Sequence, residues 1–197
     1  MISVGRWSVP GWVAATSALL FAIGGCSGGS SAQPGGPTVS ASVNCADRSP
    51  GANLSGCNLV GAKLAGHGLP KANLSGTNLT GADLTGADLT DANATGAKFI
   101  AADLTKASLT NTTLTSADLS GADMSGSDPF GANAGSANLS KSKLTGANFG
   151  NANLAKSNLS GADVARANLT GADLTGANFT DTQNCSRVRG ADLTGLC

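Results

Sequence analysis

The chain has 197 residues, with twelve Lys and Arg balancing twelve acids for a formal net charge of zero at pH 7. It therefore has no basic field to neutralise phosphates, which argues against a nucleic-acid-binding surface. Its acids are all Asp and His67 is its single histidine, so the groups that usually carry acid–base, nucleophilic or metal chemistry are scarce.

Residues 1–25 read as an export signal. Arg6 and the amino terminus supply positive charge, and a mostly apolar stretch runs from Trp12 to Gly25, ending in small residues. That stretch falls short of the ~20 residues a membrane-spanning helix needs. Ile23-Gly24-Gly25-Cys26 resembles the lipobox of bacterial lipoproteins. The resemblance implies cleavage before Cys26 and a diacylglyceryl thioether on its sulfur. Two or more acyl chains, at ~0.8 kcal/mol per buried CH₂, would anchor the chain on the extracytoplasmic face of the cell membrane. The alternative is an ordinary secretory signal with an incidental cysteine, and both place the remainder outside the cytoplasm. Residues 26–44 combine the lipidated cysteine with a Ser-, Gly- and Pro-rich tether, whose flexible part spans about 20–25 Å.

From Ala52 to Phe179 one five-residue phrase recurs: alanine, a polar residue, leucine, serine or threonine, then glycine. The apolar slot comes round 26 times, holding Leu in 18 units, Phe in three (Phe99, Phe149, Phe179), and Met124 and Val164 once each. A period of five fits neither a helix nor a long strand, but does fit a short extended piece that turns a corner in every unit. The Leu and the small residue two before it then share one face, and glycine suits the corner. Burying one Leu is worth roughly 1.5–3 kcal/mol, whereas ordering five residues costs on the order of 5–10 kcal/mol. One unit cannot fold alone, so coils must stack on coils.

This phrase closely resembles the pentapeptide-repeat family over about two thirds of the chain. The resemblance implies an all-β fold, a right-handed quadrilateral β-helix with four units per coil, Leu or Phe on the axis and Ala lining it. Twenty-six units then make about 6.5 coils and a rod roughly 30 Å long. The repeat with its N-terminal cap is placed at 45–181. Three places depart from the phrase. Pro129 and Ala134 fail the slot in consecutive units, and proline removes a ladder donor, which predicts a bulge or kink with Phe130 swinging inward in place of Pro129. His67 stands where the phrase wants Ala. Ala94 is undersized, its missing volume being assigned to Phe99.

Apart from Cys26, four cysteines remain, and Cys45 to Cys57 and Cys185 to Cys197 enclose matching sequences at equal spacing. Four cysteines allow three pairings. The matching loops favour Cys45–Cys57 and Cys185–Cys197, each clamping one end of the rod for about 3 kcal/mol in the chain-entropy model. The alternatives, a metal site or a redox pair, lack a CxxC or a Cys/His cluster. The phrase at Ala191 lies one residue out of phase, so residues 182–197 are expected to form a separate cap.

Four units per coil sort the outward slot onto four walls. The first carries Asn53, Asn73, Asn93, Thr113, Asn133, Asn153 and Asp173, and the second includes Asn138, Asn158 and Asn178. These two read as neutral amide walls. The third, with Asp83, Asp103 and Asp123, and part of the fourth read as acidic. Either Asn and Asp are simply what the slot accepts, or the amide walls are a contact surface. In the second case, exchanging Asn138 and Asn158 for Lys leaves the fold intact and abolishes partner binding.

No catalytic, cofactor or metal residues are assigned. His67 has no partner at triad or metal spacing, and a solvent-facing or bulged variant of the repeat is the plainer reading. Some cytoplasmic members of the family mimic DNA and bind DNA gyrase, but that mimicry needs strong negative charge, which this chain lacks. The expectation is a monomeric, membrane-anchored extracytoplasmic lipoprotein. It would act as a non-catalytic scaffold or interaction module for an envelope protein, with Asn138, Asn158, His67 and Phe130 as candidate contacts. The alternative is a binding protein for an envelope polymer or small ligand.

Overall fold

A computed structural model describes residues 43–191 and 193. Its regular part is a four-sided stack of coils. Asn53 pairs in parallel with Asn73, Asn58 with Asn78, Lys63 with Asp83 and Gly68 with Asp88, and the same 20-residue step repeats along each wall. Four units therefore close one turn. The slot residues from Leu54 to Leu169 and almost all the small residues two before them are buried, forming one continuous core along the axis.

One unit, Ala72 to Gly76, shows why the phrase folds this way. The Ala72 N–H closes a turn on the Leu69 carbonyl at 3.1 Å. The Asn73 N–H reaches back to Ala52 in the preceding coil at 2.9 Å, and Leu74 and Gly76 reach forward to Asn93 and Thr95 at 2.6 and 2.9 Å. The Ser75 N–H has no main-chain partner. It donates instead to Asn73 Oδ1 at 3.1 Å. Every donor of the unit is thus satisfied, as buried backbone requires.

The corner is a hydrogen-bonded turn with positive φ at its third residue only, the type II signature. Every corner from Gly51 to Asp181 has φ between 53° and 74°, including twelve that are not glycine, such as Lys71, Ala101 and Asn151. Several of these side chains lean on the glycine one coil further on. Lys141 lies over Gly161 and Lys156 over Gly176, while Asn151 would collide with any Cβ at Gly171.

The break at Pro129 does not bend the rod. Asp128 keeps its ladder bonds to Ala107 (2.9 Å) and Leu109 (3.0 Å), and Gly131 still donates to Gly150 at 2.9 Å. Only the Asp128–Asn148 bridge is missing from the wall, because proline has no N–H to give. Pro129 fills the slot and is buried. Phe130 does not swing inward: it is 41% exposed. Its ring lies 3.0 Å from where a Cβ on Gly150 would stand, so glycine there makes room for it. Ala94 and Phe99 follow one another in the same turn, and both are fully buried.

At the N-terminal end a disulfide joins Cys45 to Cys57, with Cα atoms 5.6 Å apart. It holds residues 44–51 over the first coil, where Asn44 donates to Asn53 and Gly51 to Pro70. At the other end the ladder continues past Thr182. Gln183 pairs with Asp163 at the usual step, but Arg189 pairs with Asn168 one residue late. The extra residue is absorbed by a left-handed Asn184 and a short 3-10 turn, Cys185–Arg187. Gly190 then sits against Thr170 so closely that any side chain would strike its backbone. Cys185 is disulfide-bonded. Cys197, like Cys26 and the whole of 1–42, lies outside the described residues.

The corners give a stability prediction. A Cβ on Gly81 meets nothing within 4 Å, and Ala101 occupies the same corner one coil on with φ 53°. A left-handed alanine costs about 1–2 kcal/mol, partly offset by the extra freedom of an unfolded glycine. Ala101→Gly should therefore raise unfolding stability by roughly 0.5–1 kcal/mol and Gly81→Ala lower it by a similar amount. Shifts of the same sign in urea denaturation would refute the corner assignment.

Candidate functional site

The outward slot, where a contact surface would be built, is already engaged by the fold. Asn53, Asn78, Asp83, Asn93, Asp123, Asn168 and Asn178 each accept the N–H two residues on, and also the hydroxyl of the Ser or Thr there. These are side-chain turns, a conformation natural to Asn and Asp. The one unit with glycine in the slot, Gly68, has Pro70 where the orphan N–H would be.

The amides also stack from coil to coil. On the second wall Asn138 Nδ2 donates to Asp118 Oδ1 (3.0 Å), Asn158 to Asn138 (3.3 Å) and Asn178 to Asn158 (3.2 Å). Asn138 and Asn158 are thus half-buried members of a ladder, each also holding the N–H of Ser140 or Ser160. The third wall is not simply acidic. Lys63 lies 3.9 Å from Asp83 and Lys143 3.2 Å from Asp123, so cations bracket the central carboxylates.

Several carboxyls titrate low. Hydrogen bonds from the Thr85 side chain and main chain hold Asp83 below its ordinary value, and Thr175 does the same for Asp173. For Asp123 partial desolvation pushes up, but hydrogen bonds from Ser125 and Lys143 together outweigh it.

The remaining candidates lie apart. His67 occupies an inward slot of the first coil, half-buried, with Nδ1 3.2 Å from the Ala65 carbonyl oxygen and its backbone in register rather than bulged. Phe130 stands on the edge between the fourth and first walls, three and a half coils from Val60, which is 55% exposed on the diagonally opposite edge. Among the described residues no group of three or more His, Cys, Asp or Glu could hold a metal ion, and no helix is long and apolar enough to cross a membrane. The pattern of side-chain turns was not read from the sequence, although its signal was present: Asn or Asp two before Ser or Thr in unit after unit.

Two expectations follow. Asn138→Lys with Asn158→Lys removes two N–H acceptors and the amide bonds around them, so the pair should lose roughly 1–3 kcal/mol in urea denaturation. Asn138→Asp, which keeps the acceptor, should lose less. Unchanged stability in the double lysine variant would show that the ladder contributes nothing. For pH, the lowered carboxyls stabilise the fold above their unfolded value of 3.8 and lose that contribution as pH falls through their folded values. Denaturation midpoints should therefore fall as the pH drops from neutral through and below the unfolded value of 3.8. The drop should be smaller when Asp83, Asp123 and Asp173 are all Asn, which cannot titrate but can still accept.

A four-sided stack built on this phrase has known relatives. The family model described as pentapeptide repeats (8 copies) matches residues 69–105, 92–128, 135–171 and 147–183, more than half of the chain. HetL, a pentapeptide-repeat protein involved in heterocyst differentiation regulation from the cyanobacterium Nostoc sp. strain PCC 7120, is 30% identical. That match covers 68% of this chain and 81% of HetL, with a TM-score of 0.33. Rfr23 from the cyanobacterium Cyanothece 51142 is 27% identical over 71% of this chain and 91% of its own, with a TM-score of 0.32. A trypsin-treated form of QnrB1, a plasmid-mediated fluoroquinolone resistance protein, is 20% identical, covers 68% of this chain and 74% of its own, and has a TM-score of 0.56, a likeness of fold. No curated protein sequence matches the chain. The repeat register, the coil geometry and these matches agree: the chain belongs to the pentapeptide-repeat family, whose members are right-handed quadrilateral β-helices serving as non-catalytic interaction modules.

Proposed function

We propose that this chain is a lipid-anchored extracytoplasmic protein whose pentapeptide-repeat rod serves as a non-catalytic interaction module at a bacterial cell envelope. The observation that carries the extracytoplasmic placement is the Cys45–Cys57 disulfide. Such bonds persist in oxidising compartments and are rare in the cytosol. It follows an N-terminal stretch with the composition of an export signal, and Ile23-Gly24-Gly25-Cys26 supplies the lipobox-like site. Cys26 then carries the acyl chains, and residues 27–44 tether the rod to the membrane surface.

The interaction role rests on how the surface is used. Because the amide and carboxylate side chains serve the coils, a partner's grip falls on the exceptions. Phe130 is the exposed aromatic of the described rod, supported by Gly150 beneath it and flanked by the Asp128–Asn148 hydrogen bond at 2.8 Å. A rigid aromatic anchor beside polar groups is the usual composition of an interface hot spot. The first wall beside it is mainly neutral Asn, and on the fourth the Asp128 carboxylate is engaged by Asn148.

Two measurements in intact cells test this reading. Radiolabelled fatty acid should enter the wild-type protein and be absent from Cys26→Ala; equal labelling of both would defeat the anchor. A photo-crosslinker placed beside Phe130 should capture one defined envelope protein, and Phe130→Ala should weaken that complex by about tenfold or more. Capture of random neighbours alone would defeat the interaction role.

A further inference from the structure

The outward N–H that a side-chain turn usually satisfies is left without a hydrogen-bond partner in some units. Among the described residues these are Ala65, Ile100, Thr110, Thr115, Phe130 and Thr145. Four of them are isolated. Thr110 and Phe130 are not: they stand one coil apart on the edge between the fourth and first walls, the one place where two such donors are consecutive. Each has a local cause. Ser108 stands in the slot before Thr110, and its Oγ lies 3.0 Å from Thr90 Oγ1 instead. Before Phe130, Asp128 Oδ1 accepts from Asn148 Nδ2 at 2.8 Å instead. Both positions lie in the middle of the rod, with fully bonded coils on either side. The same edge carries the Phe130 ring, 41% exposed, seated against Gly150. An open aromatic face and a stacked pair of free donors therefore coincide.

We infer that the partner held at Phe130 presents a proline-rich segment in the polyproline II form. One proline ring packs on Phe130, and two main-chain carbonyls accept from the Phe130 and Thr110 N–H groups. This rests on the reading of Phe130 as the rod's contact residue and names what the partner brings to it. Both free outward groups are donors, so the occupant must supply acceptors. A polyproline II chain carries carbonyls with no internal hydrogen bonds. Each proline also lacks the N–H that would otherwise need an acceptor at the interface. An ordinary strand brings donors as well, and the ladder has nothing outward to receive them. The Asn148 carbonyl, which lost its donor at Pro129, belongs to the ladder between coils. Anionic acceptors are opposed by the Asp128 carboxylate, two residues before Phe130. The two donors are one coil step apart, about 4.8 Å. Carbonyls one or two residues apart in such a chain are separated by roughly 3–6 Å along its axis, which brackets that step. A proline ring lays an apolar C–H face on the electron-rich face of Phe130, and its fixed φ keeps the ordering cost low.

Titration of the full chain with a synthetic proline decamer, followed by amide nuclear magnetic resonance, tests it. The decamer should shift the Thr110 and Phe130 amide signals in a saturable way. Phe130→Ala should weaken binding by about tenfold or more. Ser108→Asn places an acceptor in the slot, as Asn148 does for the Gly150 N–H at 3.2 Å. It should claim the Thr110 N–H and weaken binding by about threefold or more, with no loss of stability in urea. Unchanged affinity in Ser108→Asn overturns the inference. So does equal binding of a Gly-Ser decamer, or tighter binding of a β-1,4-linked N-acetylglucosamine tetramer, which would make the ligand a glycan. If one envelope protein crosslinks beside Phe130 while the proline decamer leaves both amides unmoved, the interaction role stands and the proline assignment fails.

Discussion

In most units the rod uses one small hydrogen bond, from the N–H after the slot residue to the side-chain oxygen of the Asn or Asp before it, while Lys63, Lys98 and Lys143 stand where that acceptor would be. Four of the five donors in a unit are satisfied by main chain, one in the turn and three between coils. The fifth points outward at the corner, where no strand passes. An Asx side chain reaches it without leaving its own unit, as Asn73 does for Ser75. That contact fixes the extended piece relative to its corner and lets the stack be assembled from short units. Gly68 with Pro70 shows the same constraint in reverse, since a unit with no donor at that place needs no acceptor.

This constraint reshapes what the surface can say about function. An Asn-rich wall looks like a recognition surface when read as composition. Once Asn138 and Asn158 are seen to hold Ser140, Ser160 and each other, most of that signal belongs to folding. The third wall changes in the same way, because Lys63 and Lys143 sit beside Asp83 and Asp123 and the local field is smaller than three stacked Asp suggest. What remains for partners is the place where the coil pattern leaves something unused, the Phe130 ring.

The departures from the phrase were legible as departures, but their outcomes were not. Pro129 signalled a kink because proline cannot donate. The cost is a single ladder bond, of the order of 1 kcal/mol, and the intact bonds of Asp128 and Gly131 on either side hold the register. Phe130 looked like a substitute filler, yet Pro129 itself fills the slot. The deciding residue is Gly150, twenty positions later, whose missing side chain gives the ring a seat on the outside. Likewise the phase slip before Ala191 was visible, while its resolution was not. The chain keeps pairing through Arg189 and stores its extra residue in the turn at Cys185–Arg187.

The sequence by itself determined the unit: five residues, one buried Leu, one small neighbour, one corner. Those features repeat locally and follow from alternation in extended chain and from the cost of ordering a piece that cannot bury enough apolar surface alone. Family, core composition and the N-terminal pairing of Cys45 with Cys57 were within its reach for the same reason. Only the tertiary structure decided which outward side chains are consumed by the fold, where Phe130 points, and how the phase slip before Ala191 is absorbed. Each of these depends on contacts between residues about twenty apart, made only when coils stack, and no five-residue pattern encodes them.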